Sequence, residues 1–134
     1  MRLPTVEREL TIALLRRFFR TSLLVGRMPS ILGREVFAAR TRAAAPHAFE
    51  NDVVFVCDVE RCLRALESTD QRLLAFCIFE DRSEWEAARV FRAEHSDTSR
   101  RLGYVLDLLY ETFCRLGLLR PLPPEEDEPR RTKS

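Results

Sequence analysis

Glycine and lysine are scarce in this sequence. Four of the 134 residues are glycine, and Lys133 is the single lysine among 22 basic residues. So few glycines exclude a collagen-like chain and disfavour a loop-rich one. The basic side chains are therefore almost all arginine, which suits phosphate and carboxylate recognition, although a GC-rich genome produces the same bias.

Long apolar runs are also missing. No segment reaches the roughly 18 uncharged apolar residues that indicate a transmembrane helix, so we expect no membrane span. The apolar residues 10–15 are too few for a signal peptide, and Arg16 and Arg17 follow them at once. With 46% hydrophobic and 32% charged residues, the chain is long enough for one globular domain, which we expect in the cytoplasm.

The cysteines and histidines lack metal-binding spacing. No two cysteines form a C-x-x-C pair, and His47 and His95 are not paired at ligand spacing, so we expect no zinc site. Each cysteine lies in an apolar helical pattern, where a free thiol behaves as a small hydrophobic side chain. This usage favours a reducing cytoplasm. The four residues are Cys57, Cys62, Cys77 and Cys114.

Catalytic motifs are absent as well. The sequence has no G-x-S-x-G, no H-E-x-x-H, no glycine-rich phosphate loop and no cysteine with a histidine partner in sequence. Four carboxylates cluster at the start of a predicted helix, where the helix dipole favours acidic side chains. They are Glu80, Asp81, Glu84 and Glu86. We therefore expect neither an enzyme nor a cofactor.

Charge is distributed unevenly along the chain. The net charge is +1, but residues 1–49 contain nine arginines and three acidic residues, which gives +6. Residues 50–69 and 70–114 each carry −3, and residues 115–134 carry +1. The basic N-terminal third is either the solvated face of an amphipathic helix or an anion-binding segment. Its candidates for contacts with a nucleic-acid backbone are Arg16, Arg17 and Arg20.

Apolar periodicity predicts an all-α protein, a helical bundle with three parts. Residues 1–49 form a basic N-terminal helical extension, residues 50–118 a helical domain, and the proline-rich residues 119–134 a disordered tail. Helices are predicted over 5–25, 34–43, 51–66, 70–79, 83–91 and from 95 or 96 to 116. Asn51 or Asp52 caps the third helix, and residues 68–70 cap the fourth.

Two further signals delimit the last helices. Ser83 and Glu86 have the spacing of a capping box, and Gly117 is placed to end the final helix. The order is a helix, a three-residue turn, a short helix, another turn and a long helix, which is a helix-turn-helix arrangement. Ala87 and Ala88 are the small residues that such a helix crossing needs.

Residues 79–91 read F-E-D-R-S-E-W-E-A-A-R-V-F, and residues 99–102 read S-R-R-L before Val105, Leu106 and Leu109. These stretches resemble the patterns F-E-G-x-S-Y-E-E-I-A-x-x-L and V-x-x-R-L-x-x-A-L-x-x-L. Those patterns belong to the fourth conserved region of bacterial sigma factors, their C-terminal helix-turn-helix domain. The resemblance spans residues 66–109 and indicates a small sigma-like protein with an N-terminal helical extension.

The resemblance implies duplex DNA as the partner and the last helix as the recognition helix. Its DNA-facing residues in this chain are then Arg92, His95, Ser96, Ser99, Arg100, Arg101 and Tyr104. Trp85 matches the family's aromatic position, and we expect it in the core. The implied function is a DNA-binding transcription regulator without catalysis.

Three residues depart from the family pattern. Arg92 replaces a turn glycine, Thr98 replaces an apolar anchor, and Glu94 replaces the capping Ser or Thr, so the cap is expected at Ser96. Residues 70–114 are also net acidic, which opposes phosphate binding. The alternative is a degenerate helix-turn-helix that acts as a protein-protein interaction module for RNA polymerase, a sigma factor or a second copy of the chain.

Overall fold

The computed structural model describes residues 5–26 and 50–121, and all regular secondary structure in these ranges is helical, without a strand. The all-α prediction is confirmed for them. The helix predicted over 34–43 and the tail beyond residue 121 lie outside the described residues. Five α-helices follow one another, α1 (Thr5–Leu24), α2 (Glu50–Arg64), α3 (Ser68–Leu74), α4 (Glu84–Phe91) and α5 (His95–Arg115), and a π-helical turn (Ala75–Phe79) continues α3.

The N-terminal helix α1 is part of the same core as the other helices. Its buried side chains recur every three or four residues, as a helix with one apolar face requires, and α1 packs against α5, α2 and the π-helical turn. Phe18 is completely buried, as is Phe113 of α5. The buried face of α1 consists of Thr11, Leu14, Leu15, Phe18, Thr21 and Ser22.

Helices α2 and α5 supply most of the remaining core. Burial of each large apolar side chain stabilises the fold by roughly 2 kcal/mol, which fixes the faces that these helices turn inward. On α2 the buried apolar residues are Phe55, Val56, Val59, Cys62 and Leu63. On α5 they are Leu102, Val105, Leu106, Leu109, Tyr110 and Phe113.

Two predicted helix starts are wrong. Helix α2 begins at Glu50, so Asn51 and Asp52 lie inside it rather than at its cap. Helix α3 begins at Ser68, with Glu67 at the N-cap and no side-chain cap bond. Asp70 is instead buried within the first turn of α3, because its carboxylate binds an arginine of α5, a contact that local sequence patterns do not reveal.

The turn between α4 and α5 has a left-handed residue. Arg92 ends α4 with φ 58° and ψ 47°, a conformation that costs a non-glycine residue roughly 1–2 kcal/mol.

The predicted capping box at the start of α4 is confirmed, because Glu86 N donates to Ser83 Oγ and Ser83 N donates to Glu86 Oε1, both at 3.1 Å. Ala87 and Ala88 are buried where α4 packs against α5.

Helix α5 begins and ends without a side-chain cap. Glu94 occupies the N-cap and makes no side-chain cap bond, so the cap expected at Ser96 is wrong, and Ser96 lies inside the helix. The buried Thr98 hydroxyl donates to the Glu94 carbonyl at 3.0 Å, so this polar side chain is accommodated in the buried face of α5. Gly117 follows α5 with φ 78°, as its predicted role in ending the helix requires.

Candidate functional site

The residues predicted to face a ligand lie on two flanks of α5. Four of them line one groove beside α1, namely His95, Ser96, Ser99 and Arg100. Arg101 lies on the other flank, where it contacts α3 and Tyr104. Arg92 is exposed in the turn before α5. The structure therefore brings together only part of the predicted set.

The groove between α1 and α5 has a volume of about 510 Å³. Gly103 and Arg8 complete its lining. Two arginines, a histidine and two serines therefore converge on one concave surface. These groups donate hydrogen bonds to oxyanions, with arginine matching the geometry of a carboxylate or phosphate.

Arg8 was not identified from the sequence. Its Nε donates to Asp107 Oδ1 at 2.7 Å and its Nη2 to Oδ2 at 2.8 Å. These hydrogen bonds raise the pKa of Arg8 above its ordinary value, so the guanidinium stays charged. The bond joins residues 99 positions apart, and no local pattern encodes such a separation.

Gly103 makes room for the Arg8 guanidinium. A Cβ at position 103 would lie 2.8 Å from Arg8 Nη1, closer than van der Waals contact permits. A glycine inside a helix lowers the stability of the helix by about 1 kcal/mol relative to alanine. The close approach of Arg8 explains why α5 has a glycine at position 103 despite this cost. An isolated glycine inside a predicted helix is the signal from which such a close approach could have been inferred.

Arg100 is the most accessible cation of the groove. Its Nη1 donates to Asp97 Oδ1 at 3.0 Å, and 73% of its side chain is exposed. Exposed ion pairs three residues apart on a helix contribute only a few tenths of a kcal/mol. Arg100 is therefore free to exchange Asp97 for an anionic ligand at little cost.

Arg101 ties α5 to α3. Its Nε and Nη2 donate to the two oxygens of Asp70 at 2.8 and 2.7 Å, and the Asp70 side chain is only 5% exposed. The guanidinium also stacks over the Tyr104 ring at 4.9 Å. A bidentate contact with a buried carboxylate gives this arginine a structural role beside its predicted DNA contact.

Trp85 is exposed, and the expectation that it lies in the core is wrong. Ala87 and Ala88 occupy the buried side of α4, which leaves Trp85 beside that face with 64% of its surface exposed. Its ring stacks on His95 with 3.7 Å between centroids and 11° between planes. His95 Nε2 lies 3.6 Å from Glu84 Oε1, so Trp85 and Glu84 together position the histidine at the start of α5.

The three α1 arginines proposed for backbone contacts lie away from this groove. Arg16 pairs with Asp81 at 3.3 Å, and Arg17 stacks over the Phe55 ring at 4.1 Å. Arg20 and Arg16 line a second depression of about 450 Å³. This depression therefore holds two of the residues predicted for backbone contacts, and the α1–α5 groove holds four of those predicted around α5.

The thiols are buried or half-buried, and all four cysteines are free. Burial raises the pKa of Cys77 to about 11 and also raises the pKa of Cys62, so both remain protonated at neutral pH.

In the described ranges, no three His, Cys, Asp or Glu side chains are grouped as metal ligands. No described helix is long and apolar enough to cross a membrane.

Comparison with known protein families, with curated proteins and with solved structures finds no match to this chain.

Proposed function

We propose that this chain is a DNA-binding transcription regulator whose α4, turn and α5 act as a helix-turn-helix. The observation that carries the proposal is the three-residue turn with left-handed Arg92, after which α5 presents Ser96, Ser99 and Arg100 along one groove. In helix-turn-helix proteins the N-terminal residues of the second helix contact base edges in the major groove.

The dimensions and the contacts of α5 suit this role. A helix of 21 residues is roughly 30 Å long, and the major groove of B-DNA accepts one α-helix. The exposed Arg100 guanidinium has Nε and Nη2 available beside its bond to Asp97. An arginine at such an exposed position can bind a backbone phosphate or the edge of a guanine base.

The test is anisotropy of a fluorescent random-sequence duplex across a salt series. We expect dissociation constants on the order of 1–100 µM near physiological salt, with affinity falling steeply as salt rises. Arg100→Ala should weaken binding by about tenfold or more, whereas Arg115→Ala, which removes the same charge from the far end of α5, should change it little. Absence of binding by the unsubstituted protein at low salt would overturn the proposal.

One observation favours a second candidate, a protein-interaction module that contacts RNA polymerase, a sigma factor or another copy of the chain. Three arginines on or beside α5 each have a carboxylate within 4 Å, in the pairs Arg8–Asp107, Arg100–Asp97 and Arg101–Asp70. A charge-balanced face releases few counterions from DNA. Capture of purified polymerase or sigma factor without DNA binding would support this candidate.

A further inference from the structure

Helix α1 contributes a cation to the groove that flanks the recognition helix. Arg8 shares this groove with Ser96, Ser99 and Arg100, although it lies about 90 residues earlier in the chain. The sequence predicts DNA contacts from α5 and backbone contacts from Arg16, Arg17 and Arg20 of α1, but none from Arg8. The structure places one α1 side chain directly beside the residues proposed to bind DNA.

The Arg8 guanidinium has hydrogen-bonding capacity to spare. Arginine carries five N–H donors, and Asp107 engages those of Nε and Nη2. Nη1, which lies against Gly103, has no acceptor among the described residues. The Asp107 side chain is 24% exposed, so water reaches this pair and a phosphate oxygen can join it.

We infer that the α1–α5 groove receives a phosphate of the DNA backbone, bound by Arg8 from α1 and by Arg100 from α5. This inference rests on the proposed function. When a helix lies in the major groove, a sugar-phosphate strand runs along each of its flanks. The α1–α5 groove occupies one flank of α5, and its two arginines and two serines are donors suited to a phosphate.

The main experiment compares the salt dependence of duplex binding by Arg8→Gln and Arg115→Gln. Both variants lose one positive charge, but only the first changes the groove. Loss of one phosphate contact should lower the slope of log K against log salt by about 0.9 and weaken binding roughly 5–10-fold at 0.1 M salt. Arg115→Gln should keep the original slope.

Two further variants separate position from charge. Gly103→Ala inserts a methyl group where the Arg8 guanidinium lies, so it should weaken binding without changing the net charge. Asp107→Asn removes the competing carboxylate and should strengthen binding. The inference is overturned if the protein binds DNA and the slope of log K against log salt is the same for Arg8→Gln, Gly103→Ala and Arg115→Gln. That result would leave the proposed function intact.

Titration with inorganic phosphate distinguishes the two sources of this ligand. We expect duplex to move the amide resonances of Ser99 and Gly103, and Arg8→Gln to abolish that movement. If inorganic phosphate moves them while duplex does not bind, the groove is a site for free anions, and the DNA-backbone assignment is overturned. If the unsubstituted protein binds no duplex, the proposed function and this inference fail together.

Discussion

Helix α5 is held on its two flanks by two arginine–aspartate pairs of similar geometry and different surroundings. On the α3 flank, Arg101 binds Asp70, whose side chain is 5% exposed. On the α1 flank, Arg8 binds Asp107, whose side chain is 24% exposed. A buried carboxylate depends on its partner, whereas water can solvate an exposed one. The α3 flank is therefore suited to hold the fold, and the α1 flank to exchange partners with a ligand.

The largest expected effect comes from removing Arg101. Arg101→Ala leaves the buried Asp70 carboxylate without its arginine and should lower the free energy of unfolding by about 3 kcal/mol. Arg8→Ala should cost at most about 1 kcal/mol, because Asp107 remains hydrated. Urea unfolding of both variants measures the difference. Equal losses would show that the two flanks do not differ in this way.

A double variant isolates the buried charge as the cause. Asp70→Asn combined with Arg101→Ala removes both ionised groups, so it should be more stable than Arg101→Ala alone. Because replacing Arg101 destabilises the fold, a loss of DNA binding by Arg101→Ala could not be distinguished from a loss of structure. Arg100 is the better choice because its ion pair is exposed.

Alkaline pH should weaken the α3 side of the molecule, where Cys77 is buried in the π-helical turn. Burial raises the pKa of Cys77 to about 11, whereas in the unfolded chain it titrates near its ordinary value of 9.0. Stability is complete below about pH 9 and falls as pH approaches 11, because the unfolded state then loses a proton that the folded state retains. The loss should reach roughly 2 kcal/mol by about pH 10.5.

Urea unfolding at pH 8 and at pH 10.5, in the presence of a reductant, measures this loss. Cys77→Ala should lose less stability over the same interval. An identical pH dependence in both proteins would contradict the burial of this thiol.

The smallest expected effect concerns the turn that leads into α5. This turn belongs to neither of the two arginine–aspartate pairs. Arg92 has a left-handed backbone conformation, which glycine adopts without strain. Arg92→Gly should therefore raise the free energy of unfolding by about 1 kcal/mol. Thermal or urea unfolding measures it, with Arg89→Gly, inside α4, as a control that should destabilise by about 1 kcal/mol. Destabilisation by Arg92→Gly would indicate a contact of the Arg92 side chain that outweighs the strain.

Local features of the fold were predictable because neighbouring residues create them. The capping box of Ser83 and Glu86 spans three residues, and the periodicity of α1, α4 and α5 places their helices within two residues of the observed bounds. The caps at residues 51, 52, 68–70 and 96 were wrong. At residue 70 the reason is a tertiary contact, because the Asp70 carboxylate accepts hydrogen bonds from Arg101.

The candidate site was predictable on the α5 side only. His95, Ser96, Ser99 and Arg100 share a groove as the helical spacing indicates. Arg8 was missed because its partner lies 99 residues away. The exposure of Trp85 was missed because periodicity does not distinguish the buried side of a short helix from the sides next to it.

The sequence by itself determined the helical class, the capping box, the glycine that ends α5 and the residues along the first turns of α5. Each depends on backbone geometry within about four residues. The tertiary structure alone decided that α1 packs against α5, that Asp70 is buried beneath Arg101, and that Arg8 crosses Gly103 into the groove. The apolar faces of helices far apart in the sequence pack together, and this packing brings the charged side chains of α1 and α3 next to those of α5.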